Sequence, residues 1–114
     1  MSIFKSGQII NHKLFNYRGV IFKADDTFLS TDEWYEQMAK SKPPKDKPWY
    51  HVLVNNETHM TYVAERNILP DHTGKIINHP LVPVYFTEIV ADKYERNLNW
   101  EGDEPVPVAN IGMA

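Results

Sequence analysis

The chain has 114 residues, a formal net charge of −3 and no cysteine. That length suits one domain, and the absence of cysteine removes thiol catalysis, thiolate metal sites and a disulfide framework together. The mild negative charge argues against nucleic-acid binding by bulk electrostatics, because lysine and arginine at phosphates supply most non-specific affinity.

The opening MSIFKSGQII has no long apolar stretch and no small-residue cleavage site, so no secretory signal is expected. No apolar run approaches the roughly 20 residues that cross a bilayer, and a cytoplasmic location is the expectation. Residues 7–25 read as two strands around a bend, with Asn16 and Gly19 supplying the turn chemistry and Asp25-Asp26 ending the second strand. The stretch LSTDEWYEQMAK reads as a short helix. Ser30 is placed as the N-cap with Glu33 reaching back in a capping box, and Leu29 and Trp34 fall at the staple positions. Trp34 and Met38 share one helix face, and Pro43-Pro44 ends the element before a lysine-rich loop, SKPPKDK.

WYHVLVNNETHMTYVAE is the clearest hairpin. A two- or four-residue loop sets His51 opposite Tyr62 and Leu53 opposite Met60. One face then carries Trp49, His51, Leu53, Met60, Tyr62 and Ala64, and the other carries Tyr50, Val52, Val54, His59, Thr61 and Val63. Both faces are too apolar for a sheet with one side in water, so each needs a cover; the helix of Trp34 and Met38 is the expected lid for one. Pro48 stands at a strand's first position, where a missing N–H is tolerated, and Trp49 and Tyr50 point to opposite faces. NILPDHTG reads as a turn-rich connection, and PVYFTEIVADKY as a second helix with Pro83 near its first turn and Phe86, Ile89 and Val90 along one side. Residues 101–114, EGDEPVPVANIGMA, read as a flexible acidic tail beyond a single domain at 1–100. The sum is a mainly β fold: a small barrel of about five strands with one inserted helix and a C-terminal helix.

The segments GQIINHKLFNYRGVIFKAD, EWYEQM, KPWYHVLV, TYVAERNILPD and INHPLVPVYF, in that order, resemble the YccV-like family. It is also known as the hemimethylated-DNA-binding domain family and includes the heat-shock protein HspQ. The resemblance covers residues 7 to about 97. It implies an SH3-like β-barrel without enzymatic activity. Two functional themes come with it: binding of hemimethylated DNA, and a heat-shock role in helping the Lon protease degrade selected proteins. Related domains are appended to eukaryotic F-box proteins, again in proteolysis. The positions that match the family pattern are His12, Tyr17, Gly19, Val20, Pro48, Trp49, Tyr50, His51, Tyr62, Val63 and Glu65.

The residues themselves offer little catalytic chemistry. His51 and His59 fall on different faces of the hairpin, no HExxH or His-x-His pair exists, and a lone histidine beside a tyrosine is read as a hydrogen-bonded core residue. The serines occupy a terminus, a turn, a cap and a loop, with no nucleophile elbow, and Asp25-Asp26 reads as a turn former. No catalytic residue, metal or cofactor is assigned. His12, Gly19, Pro48, Trp49, Tyr50, His51, Tyr62 and Glu65 are read as structural. Partner binding is placed on Tyr17 and Arg18, because aromatic and arginine residues are enriched in interface hot spots and a turn needs neither. Protein partners, a protease such as Lon or its substrates, come first. Recognition of hemimethylated DNA is the alternative, carried by Arg18, Lys40, Lys42, Lys45 and Lys47.

Overall fold

The computed structural model describes residues 3–97; the acidic tail at 101–114 lies outside the described residues. Five strands form one antiparallel sheet: β1 (Ile9–His12), β2 (Arg18–Asp25), β3 (Trp49–Val54), β4 (Met60–Ala64) and β5 (Ile68–Pro70), in the spatial order β4-β3-β2-β1-β5. The central hairpin has the register its alternation demands, with His51 opposite Tyr62 and Leu53 opposite Met60. The turn-rich reading of NILPD is corrected here. After a 3₁₀ turn at Glu65–Asn67, Ile68–Pro70 pairs with β1, which buries Ile68 and leaves Leu69 exposed.

Both faces of the sheet are covered. Ile10, Ile21, Tyr50, Val52, Val63 and Ile68, contributed by all five strands, pack together on one face with Phe4 of the N-terminal segment. The other face has two lids. The helix α1 (Asp32–Met38) lays Trp34 and Tyr35 against Trp49, Tyr62 and Ala64. At the far end Phe86 and Tyr94 pack on Ile9, Val20, Phe22 and Leu53.

Three local expectations fail for identifiable reasons. The cap of α1 is Thr31, not Ser30: the Thr31 side chain accepts a hydrogen bond from Trp34 N at 3.1 Å, so Glu33 stands one position too early for a capping box. Leu29 makes no staple, being 69% exposed; its backbone N–H instead donates to the Tyr62 hydroxyl at 3.1 Å. The predicted second helix shrinks to a single turn, α2 (Val82–Tyr85), with Pro83 in it. The chain then forms a hairpin, β6 (Phe86–Val90) and β7 (Lys93–Arg96). Its two-residue turn, Ala91-Asp92, has both residues at positive φ, the geometry that matches strand twist, and the sequence lacks the usual Asn-Gly signal for it.

Two glycines matter through space. Gly19 is no turn residue: it lies inside β2, paired with Ile10 and Val54, and a Cβ there would meet Val52 Cγ1 at 2.5 Å and Leu53 O at 2.6 Å. Gly7 lets β7 dock, its φ of +93° and missing Cβ allowing Tyr94 N to donate to Gly7 O at 2.8 Å.

Candidate partner-binding surface

The connection between β1 and β2 runs through residues 13–16, with Asn16 in the left-handed region at φ 57°. Its organiser is His12, buried at the end of β1. His12 Nδ1 accepts hydrogen bonds from the backbone N–H of Leu14 and of Phe15, both at 3.1 Å. A nitrogen that accepts carries no proton, so the ring holds the loop in its neutral form with the proton on Nε2. Asn16 N donates to His12 O at 2.9 Å and His12 N to Tyr17 O at 2.8 Å, which closes the loop. With both amides fixed inward, the side chains of Leu14 (54% exposed) and Phe15 (48%) stand out from the tip. Lys13 N donates to Asn67 O at 2.7 Å, tying the same loop to the start of β5.

Tyr17 and Arg18, the expected binding pair, are adjacent but do not project together. Tyr17 turns inward: its ring packs against the core shared by all five strands and its hydroxyl shares a 2.7 Å hydrogen bond with Thr61. Burial pushes its phenol well above the ordinary range, the Thr61 bond offsetting only part of that. Arg18 opens β2 with its side chain 21% exposed. Its guanidinium pairs with Asp71 and donates to Lys75 O at 2.7 Å, so it clamps the 71–75 turn. Burial alone would raise the Asp71 carboxyl, but the bonds from Arg18 and Thr73 outweigh it and hold that group below its usual range.

The lysine loop is likewise drawn into the fold. Lys42 Nζ lies 2.6 Å from Glu36, and Lys45 Nζ lies 2.9 Å from Asp32. Both ammonium groups sit over the Tyr35 ring, at 5.1 and 4.3 Å from its centroid. Lys40 and Lys47 are exposed and have no ion-pair partner among the described residues.

The PWYH motif forms the interior, and its polar atoms are satisfied there. Trp49 and Tyr50 are fully buried on opposite faces; Trp49 Nε1 donates to Pro44 O at 3.0 Å and the Tyr50 hydroxyl to Glu65 at 2.5 Å. Burial, reinforced by that bond, leaves the Tyr50 phenol pushed up to about 12. His51 Nε2 lies 2.9 Å from Asp25 Oδ2, and the Tyr62 hydroxyl donates to the same oxygen at 2.7 Å. Asp25 is thus no mere turn former. Burial would lift its carboxyl, yet the bonds from His51 and Tyr62 prevail and keep it below its ordinary value. Among the described residues no three His, Cys, Asp or Glu side chains come close enough to hold a metal ion.

Comparison with known proteins places this architecture. The family model described as "Hemimethylated DNA-binding protein YccV like" matches residues 2–93. The chain belongs to the YccV-like family. It is 32% identical over 97 residues to F-box only protein 21 of Homo sapiens, an alignment covering 83% of this chain and 15% of that protein. The Pongo abelii protein of the same name is also 32% identical, with 16% of its length covered, and the Mus musculus protein is 31% identical, with 15% covered. The YccV-like chain therefore spans about a sixth of the length of these curated relatives. Among its described residues no helix is long and apolar enough to cross a membrane.

Leu14 and Phe15 were not singled out by sequence reasoning. The available signal was two consecutive apolar residues in the short connection between strands, where turn chemistry calls for polar ones.

Proposed function

We propose that this YccV-like chain is a non-enzymatic binding module that delivers selected proteins to a protease such as Lon, with the tip of the β1–β2 hairpin as its docking face. The observation that carries the reading is an exposed apolar pair, Leu14 and Phe15, on a loop whose backbone is fixed by His12. Function tends to reside on loops held by a rigid scaffold, and an ordered loop loses little further entropy on docking. The titratable groups of the interior serve packing: Asp25, His51 and Tyr62 satisfy one another, as do Tyr50 and Glu65. The proteolysis theme of the family resemblance, shared by the F-box relatives, points the same way.

The scaffold is read as an SH3-like barrel. Supporting this, the two edge strands β4 and β5 contribute Val63 and Ile68 to a single core with the three strands between them, so the sheet is curled around that face.

Duplex binding is the second reading, favoured by the family's description. Lys40 and Lys47 are the cations available for it, since Arg18, Lys42 and Lys45 are already paired with carboxylates. Two titrations separate the readings. In a reconstituted Lon assay the chain should raise the initial rate of degradation of a thermally destabilised substrate several-fold. Against a hemimethylated duplex at physiological salt it should bind no better than the 10⁻⁴–10⁻⁶ M typical of non-specific contacts. Nanomolar binding that prefers the hemimethylated duplex, without any effect on degradation, would replace the first reading by the second.

A further inference from the structure

Away from the hairpin tip, a cavity of about 300 Å³ opens between the N-terminal segment, the loop before β3 and the β4–β5 junction. Phe4, Ala64, Ile68 and Pro44 give it an apolar lining, while Lys47, Glu65 and Arg66 contribute the charged groups. The volume is at the small end of ligand sites, enough for one or two side chains.

The three charges are not equivalent. Glu65 is committed to the fold, since its Oε2 accepts from the Tyr50 hydroxyl at 2.5 Å and from Ile3 N at 3.3 Å. Arg66 is steadied by one bond, Nη2 donating to Ser41 O at 2.7 Å, and it has no carboxylate partner among the described residues. Lys47 has neither a hydrogen bond nor an ion pair there. A satisfied carboxylate and two cations without counter-charges leave the lining one positive charge in excess. An apolar floor beneath unpaired cations is complementary to an apolar group that carries an anion.

We infer that this cavity binds the C-terminal end of a partner polypeptide, with its last apolar side chain against Phe4, Ala64 and Ile68 and its α-carboxylate between Lys47 and Arg66. An internal peptide segment would bring no charge for the two cations. An arginine can take a carboxylate through two parallel N–H donors, and a lysine adds a point charge beside it. The choice of a peptide end rests on the protein-delivery reading proposed above; the cavity and its charges do not.

Fluorescence anisotropy with a labelled octapeptide ending in Val-Leu, as free acid and as C-terminal amide, tests the assignment. The free acid should bind the full chain, and the amide should bind about tenfold more weakly, the loss expected for a charged hydrogen bond. Lys47→Gln and Arg66→Gln, both at exposed positions, should each weaken the free acid about tenfold and leave the amide nearly unchanged. Equal binding of acid and amide, indifference to both substitutions, or no binding at 1 mM would each overturn the assignment. Peptide binding without stimulation of Lon would remove the delivery reading and leave the site standing; stimulation without peptide binding would do the reverse.

Discussion

His51 and Tyr62 face each other across the β3–β4 ladder, their rings 4.5 Å apart, and both bond the same oxygen of Asp25 at the end of β2. Three strands are thus joined by one buried carboxylate. Tyr62→Phe would remove one of its two side-chain partners and leave Leu29 N without its acceptor. A loss of about 1–3 kcal/mol in urea unfolding is expected, with the secondary structure retained.

The same carboxylate gives a pH dependence with a definite sign. Its folded pKa lies below the ordinary 3.8, so its contribution is present above that value and is lost as pH falls through the folded pKa. Asp71, held down by Arg18 and Thr73, acts in the same direction. Asp25→Asn should therefore be less stable than wild type at neutral pH, and the gap between their urea midpoints should narrow as the pH drops below 3.8. A gap that stays constant into acid would contradict the role given to the ionised group.

Trp49→Ala removes a fully buried ring that touches Phe28, Trp34, Tyr35 and Tyr62. The expected cost is about 3–5 kcal/mol, a large fraction of the stability of a domain this size. A sharp melt within a few degrees of wild type would show that α1 does not close this core.

Gly19→Ala tests a steric claim. No strained φ is involved; the added methyl would meet Val52 and the backbone of Leu53. Overpacking of this kind should cost about 1–3 kcal/mol, and truncating the side-chain obstacle with Val52→Ala in the same chain should recover part of it on Gly19→Ala. Additive losses in a double-mutant cycle would deny the contact.

What the sequence made legible was the strongly periodic part. Alternation from Trp49 to Ala64 was enough to set register and faces, because a one-residue slip would expose every apolar side chain. The failures lie where two patterns compete. Phe86, Ile89 and Val90 satisfy helical spacing, but a turn at Ala91-Asp92 and the contact of Phe86 with Tyr94 made a hairpin. Ile68–Pro70 was too short to announce itself as a strand without β1 beside it. Tyr17 looked like a turn residue free to project, and its Thr61 partner is 44 residues away, beyond any local signal. The lysine loop kept its basic appearance because the carboxylates that answer it, Asp32 and Glu36, lie on α1.

The central claim is that the Leu14-Phe15 tip, presented by His12, docks a protein. Its most direct test is the stimulation of Lon by wild type and by a Leu14→Ser/Phe15→Ser double variant. Both side chains are largely exposed, so the variant should melt within a few degrees of wild type. The account predicts that it loses most of the stimulation of degradation. Full stimulation by a well-folded variant would contradict the account and move the docking face elsewhere.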